Sequence, residues 1–170
     1  MKIHEKNISK SIDLNIIGTC NIVKICEKYK IKLIYLSTGY VYEGTKGNYN
    51  ENDPVKPFNN YGLSKFGGEC AVQMYRNSLI LRITMTEKPF SYKSAFSNLI
   101  TNFMYHEDFV KILHKLIHKK GIINVGGKTQ SVYSFAKNKN IKVKKILAKK
   151  NKRFPLKQDM NLKLLRSIIK

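Results

Sequence analysis

Short apolar runs alternate with longer periodic stretches along this chain. Ile31-Lys32-Leu33-Ile34-Tyr35-Leu36 and Leu79-Ile80-Leu81-Arg82-Ile83-Thr84 are short and rich in branched residues, which predicts buried strands. Gly121 to Val125 predicts another. From Ile8 to Tyr29, Ile12, Ile16, Ile22, Val23 and Cys26 recur on one side of an amphipathic helix. Tyr61 to Tyr75 predicts a second helix, with Asn59-Asn60 as its cap. A third runs from Glu107 to His118, with Val110, Leu113 and Ile117 inward. Ser131 to Lys137 predicts a short helix, Lys142 to Ala148 an edge strand, and Asn161 to Ile169 a final helix capped by Asn161. Lys88 to Thr101 reads as irregular chain with a helical piece, and residues 149–153 as a basic link. Gly47, Asn48, Asn50, Asp53, Pro54 and Pro57 mark a loop after the first strand. Strand, polar loop, helix, strand is the rhythm of an α/β fold with a parallel sheet and flanking helices.

That rhythm gives meaning to the polar residues at the strand ends. Ser37-Thr38-Gly39-Tyr40 follows the first strand directly, and open α/β sheets bind ligands outside the carboxyl ends of their strands. Tyr61 and Lys65 are one helical turn apart and share a face. A free phenol has a pKa of about 10. A neighbouring ammonium favours the phenolate and lowers that value. The spacing therefore predicts a proton-transfer pair, since general acids work best with a pKa near the operating pH.

In combination, several stretches resemble the extended short-chain dehydrogenase/reductases, and within them the dTDP-4-dehydrorhamnose reductase-like group. They are Asn15-Ile16-Ile17-Gly18-Thr19, Tyr35 to Gly44, Tyr61-Gly62-Leu63-Ser64-Lys65-Phe66-Gly67-Gly68-Glu69, Leu81-Arg82-Ile83, Ile122 to Gly127, and Ser131 to Lys137. The resemblance implies a partial Rossmann-like parallel sheet with flanking helices and a small C-terminal substrate-side region. It implies that Tyr61 protonates the carbonyl of a 4-keto sugar nucleotide as hydride arrives. Lys65 would lower the Tyr61 pKa and bind the nicotinamide ribose, and Thr38 would orient the same carbonyl. Gly39 and Met85 fall where the group contacts the nucleotide sugar. The group often has an acidic residue at the first position and an aromatic one at the second, so both are departures.

The larger departure is the glycine-rich strand–turn–helix on which such proteins seat the cofactor pyrophosphate. Gly18 is isolated, Gly44-Thr45-Lys46-Gly47 has no helix behind it, and no acidic residue is assignable to the adenosine ribose. Residues 1–170 are expected to form one domain, the C-terminal portion of a sugar-nucleotide oxidoreductase that reduces or epimerises a 4-keto sugar nucleotide such as dTDP-4-dehydrorhamnose, using NAD(H) or NADP(H). The chain is then a fragment, a split subunit or a protein that has lost the cofactor function. A nucleotide-sugar substrate is the expected partner, with another chain supplying the missing strands or a second copy. The alternative is a non-catalytic, regulatory or partner-binding protein of the same fold.

Composition narrows the field further. A chain of 170 residues, 42% hydrophobic, can bury the core of one domain. It has no membrane-length apolar run and no apolar signal core, so a cytoplasmic location is expected. Cys20, Cys26 and Cys70 lack metal-binding spacing; Cys20 and Cys70 are read as buried thiols of a reducing compartment. The net charge of +21 raises a nucleic-acid reading, but no such motif accompanies it, and solvated lysines account for it better. Gly127-Lys128-Thr129 lacks the upstream glycine of a phosphate-binding loop, Ile122 standing in its place, and reads as a tight turn. His114 and His118 share a helix face without a third ligand and read as solvent-facing, so no metal site is expected.

Overall fold

A computed structural model describes residues 2–138, 142–149 and 155–170. Helices α1 (Lys2–Lys6) and α2 (Ile8–Ile12) lead through a π-helical turn (Asp13–Ile17) into α3 (Gly18–Lys28). Strand β1 (Leu33–Thr38) ends in a 3-10 turn (Gly39–Val41), and a long loop reaches α4 (Asn60–Gln73). Then come β2 (Ser78–Ile83), β3 (Met85–Thr86), β4 (Ser94–Phe96), β5 (Ile100–Thr101) and β6 (Met104–Tyr105). The order continues with α5 (His106–Leu116), β7 (Gly121–Val125), β8 (Gln130–Ser131), α6 (Val132–Lys137), β9 (Lys144–Ile146) and α7 (Lys163–Ile169).

The main sheet is parallel in the order β1-β2-β7, with Leu36 beside Leu81 and Leu81 beside Ile123. Every residue of the central strand β2 is buried, as expected of a parallel strand covered on both faces. Its side chains alternate between two cores. Leu79, Leu81 and Ile83 face a cluster with Phe109, Leu116 and Leu165, which belong to α5 and α7. Ile80 faces Cys26 and Val72 of α3 and α4, with Leu33 and Tyr35 of β1. A third cluster, built on Phe90, Ala95, Leu99, Tyr105, Val132 and Phe135, forms the C-terminal region beyond the strand ends. Among the described residues β1 pairs only with β2, so its outer edge is open.

Several expectations need correction. The first helix is not uninterrupted: the π turn rotates the apolar stripe, leaving Ile12 and Ile22 exposed while Val23 and Cys26 pack inward. Cys70 is exposed and Cys20 half-buried; Cys26 is the buried thiol. On α5 Phe109 and Leu116 are buried and Leu113 packs against the same core as expected, but Val110 is 64% exposed. The segment from Lys88 to Thr101 carries short strands and no helix. The last helix begins at Lys163, although Asn161 does accept the Lys163 N–H at 2.9 Å. Apart from Lys149, the expected basic link at 149–153 lies outside the described residues.

Beneath the sheet's carboxyl end lies a buried ion pair that joins α4 to β2. Arg82 and Glu69 are 2% and 0% exposed, with Nη2 to Oε2 at 2.8 Å and Nε 3.2 Å from both carboxylate oxygens. Arg82 Nη1 also donates to the Tyr42 hydroxyl at 2.9 Å and to the Glu51 carbonyl at 3.2 Å. Tyr42 in turn donates to Asn124 of β7 at 2.9 Å. The network ties the loop after β1 to the two neighbouring strands.

Candidate functional site

The first turn of α4 is placed by two neighbouring features. Asn59 Oδ1 accepts the Gly62 N–H at 2.7 Å, which satisfies one of the free donors of the helix start. Gly62 then allows close approach: a Cβ there would lie 2.3 Å from the Tyr40 carbonyl oxygen. Tyr61 is thereby set against the end of β1. Thr38, the last residue of that strand, accepts the Tyr40 N–H at 3.3 Å and so caps the 3-10 turn.

Thr38, Tyr61 and Met85 line one cavity of about 700 Å³, at the carboxyl ends of β1 and β2. Burial raises the Tyr61 phenol above its ordinary value, and interaction with the Thr38 hydroxyl opposes that rise. Tyr40, edge-on to Tyr61 with ring centres 6.3 Å apart, is pushed up to about 12 by burial. Two neutral phenols and a threonine hydroxyl therefore face a largely apolar space. Such an arrangement can donate a proton to an oxygen held there, and a dry site strengthens every hydrogen bond it makes.

Lys65 lies one turn further along α4, but its ammonium stands over the Tyr35 ring, 4.1 Å from the centre. The Tyr35 hydroxyl donates to the Lys65 carbonyl at 3.1 Å, fixing the ring below it. Burial lowers the Lys65 pKa to about 8, against the pull of Glu69. The expected lowering of the Tyr61 pKa by Lys65 is therefore corrected: burial dominates at Tyr61, and its opposing partner is Thr38. Gly39 is buried and lies outside the cavity lining. A Cβ at that position would come 2.8 Å from Thr84 Oγ1 and 3.3 Å from Met160 Sδ. There is no space for an acidic side chain unless those atoms move.

Sequence reading missed five neighbours, Tyr40 among them. The His4 ring packs on Tyr61 with centres 5.1 Å apart, and Glu5 Oε1 accepts the Tyr61 N–H at 3.3 Å. Asn15 donates to Ser64 at 2.9 Å, joining the π turn to α4. His106 lines the far side of the cavity. His4 and His106 belong to no pattern that would mark them; Asn15 and Tyr40 stood within the matched stretches but carried no assigned role.

The other two constellations take ordinary structural places. Gly127 N–H donates to the Asn102 carbonyl at 2.8 Å, and Asn102 Nδ2 donates to Thr129 Oγ1 at 2.7 Å. Asn102 thus holds the turn closed at Gly127 and Thr129, in keeping with its reading as a tight turn. His114 and His118 are exposed, and no group of three or more metal-ligating side chains exists among the described residues. No helix among them is long and apolar enough to cross a membrane.

A parallel, Rossmann-like sheet with paired hydroxyls at its carboxyl edge defines the class: α/β proteins that bind ligands at the strand ends. The sequence pattern of the RmlD substrate binding domain matches residues 3–126, and the chain belongs to that family. It is a family of sugar-nucleotide reductases and epimerases. The chain is 37% identical over 71 residues to methionine adenosyltransferase 2 subunit beta of Xenopus laevis, covering 41% of this chain and 21% of that protein. It is 39% identical over 66 residues to the N-acetyl-alpha-D-glucosaminyl-diphospho-ditrans,octacis-undecaprenol 4-epimerase of Escherichia coli O157:H7, covering 38% and 20%. The chain thus matches about a fifth of the length of these curated relatives. Among solved structures, dTDP-4-dehydrorhamnose reductase of Bacillus anthracis in complex with NADP superposes with a TM-score of 0.79 at 26% identity, covering 98% of this chain and 69% of that one.

Proposed function

We propose that this chain carries the proton-donating, substrate-side part of an NAD(P)-dependent oxidoreductase acting on a 4-keto sugar nucleotide. The observation that carries the reading is the meeting of Thr38 and Tyr61 on one cavity at the strand ends. Tyr61 is the general acid: its phenol, kept protonated by burial, gives its proton to the carbonyl oxygen of the sugar. Thr38 holds that oxygen in line, and Met85 bounds the sugar ring. When bound, the nicotinamide supplies the hydride. Lys65 suits the ribose hydroxyls, being a part-buried cation that stands over a ring face and in the field of Glu69. The turn after β7 does not resemble a pyrophosphate cradle, because Gly127 N–H and Thr129 Oγ1 are engaged by Asn102. Tight cofactor binding therefore calls for strands added at the open edge of β1, from a partner or a longer chain.

The similarity to a methionine adenosyltransferase subunit favours a second reading, a non-catalytic, partner-binding protein of the same fold. One experiment separates them. Oxidation of NADPH by the chain is followed with a 4-keto sugar nucleotide, in wild type and Tyr61→Phe, alongside calorimetric binding of the sugar nucleotide. The oxidoreductase reading expects equal binding and a loss of about a hundred- to ten-thousand-fold in rate with Phe. An unchanged rate overturns the role of Tyr61. Binding of both the sugar nucleotide and NADPH without turnover in the wild type supports the second reading.

A further inference from the structure

Among the described residues lining the cavity, three that carry a hydroxyl are themselves buried: Ser37, Thr38 and Thr84, at 3%, 5% and 8% exposure. Buried polar groups are normally hydrogen-bonded, so the partner of each matters. The Ser37 hydroxyl has none, but its oxygen is sealed from solvent, out of a ligand's reach. The Thr38 hydroxyl accepts the Tyr40 N–H and interacts with Tyr61. That leaves Thr84 without a role.

Thr84 directly follows β2, whose last residue, Ile83, pairs with Thr38 of β1, so it stands at the same carboxyl edge of the sheet. Its backbone is held on both sides. The N–H donates to the Val125 carbonyl at 3.3 Å, and the carbonyl accepts the Met104 N–H at 3.1 Å. Its hydroxyl forms no hydrogen bond among the described residues, yet its oxygen is not one of those sealed from solvent. The little exposure that Thr84 keeps is accounted for by the cavity it lines. The lack of a side chain at Gly39 leaves room beside that oxygen, since a Cβ there would come within 2.8 Å of it. The outcome is a free hydroxyl on a fixed backbone, at the strand-end wall of the cavity.

We propose that Thr84 is a sugar-binding residue, whose hydroxyl takes a hydrogen bond with a hydroxyl of the sugar ring while Thr38 and Tyr61 hold the carbonyl. The inference rests on the sugar-nucleotide reading above and adds one polar contact inside the same cavity. The chemistry of the walls favours a sugar hydroxyl as the partner. No Lys, Arg, Asp or Glu is among the described residues lining the cavity, so the space suits the uncharged part of the ligand. Each ring hydroxyl that enters gives up water and needs a replacement partner. A threonine hydroxyl both donates and accepts, and so matches a sugar hydroxyl in either sense. It carries no charge with which to hold a phosphate.

The test is calorimetric titration of the full chain with UDP-glucose, and with UDP as a probe that lacks the sugar, in wild type, Thr84→Val and Thr84→Ser. Valine keeps the branched shape and loses the hydroxyl; serine keeps the hydroxyl and loses a methyl group. The expected result is a loss of about fivefold in UDP-glucose affinity for Thr84→Val, the scale of one neutral hydrogen bond, with Thr84→Ser close to wild type. UDP binding is the same in all of them. No loss with valine, an equal loss with serine, or an equal loss for UDP overturns the role of Thr84 while leaving the sugar-nucleotide reading intact. A wild-type chain that binds no UDP-glucose at all overturns both.

Discussion

Replacing Arg82 by Met isolates the buried ion pair beneath the candidate site. The substitution keeps an unbranched side chain of similar reach and removes every donor. Glu69, fully buried, loses three N–H contacts at 2.8 to 3.2 Å. The Tyr42 hydroxyl and the Glu51 carbonyl each lose a donor as well. Breaking one side of a buried pair costs about 3–5 kcal/mol, because the other charge is left unpaired. Native domains are stable by only about 5–15 kcal/mol in all, so this is a large share. For a domain of this size each kcal/mol shifts Tm by about 2–4 °C, which predicts a fall of roughly 10 °C. Thermal and urea unfolding of R82M, E69L and the double variant measure it. The double variant should recover part of the loss, because two apolar side chains leave no orphaned charge. A loss below about 1 kcal/mol in R82M, with no recovery in the double variant, would refute the argument that pairing holds α4 to β2.

Two further outcomes follow from the same geometry. Lys65 has a folded pKa of about 8, below its ordinary 10.5. The unfolded chain therefore binds more protons between those values, and the cost of the buried charge, present in full below pH 8, fades as pH rises toward 10.5. Lys65→Met should be more stable than wild type at pH 7, by no more than about 3 kcal/mol before solvent screening is allowed for. The gap should close by pH 10.5 in melts across that range, and a gap independent of pH would refute the assignment. Gly68→Ala should destabilise by about 1–3 kcal/mol in urea unfolding despite alanine's better helix propensity, since the new Cβ meets Tyr35 Oη at 2.3 Å and the Asn15 carbonyl at 2.5 Å. A stabilised variant would show that the π turn and α4 can part freely.

Much of this molecule was legible before any coordinates. The strands around Leu33 and Leu81 are short, branched and apolar, and such runs have no other stable place than a covered parallel sheet. Asn59 before Tyr61 marks a helix start because its side chain replaces a missing backbone acceptor, a strictly local effect. Thr38 and Tyr61 were joined in one site by the family resemblance, and both line the cavity at the strand ends. What the sequence left open depends on contacts between distant segments. The π turn, which exposes Ile12 and Ile22, is set by packing of residues 15 and 16 against α4. The environment of Lys65 turned on Tyr35 reaching under it from another strand, which helical spacing does not encode. The wall formed by Phe96 and Ile146 exists because β4 and β9 pair across a long stretch of sequence. Local hydrogen bonds and periodicity are written in neighbouring residues; burial, and with it the charge state of a site, is decided by whatever the fold brings against them.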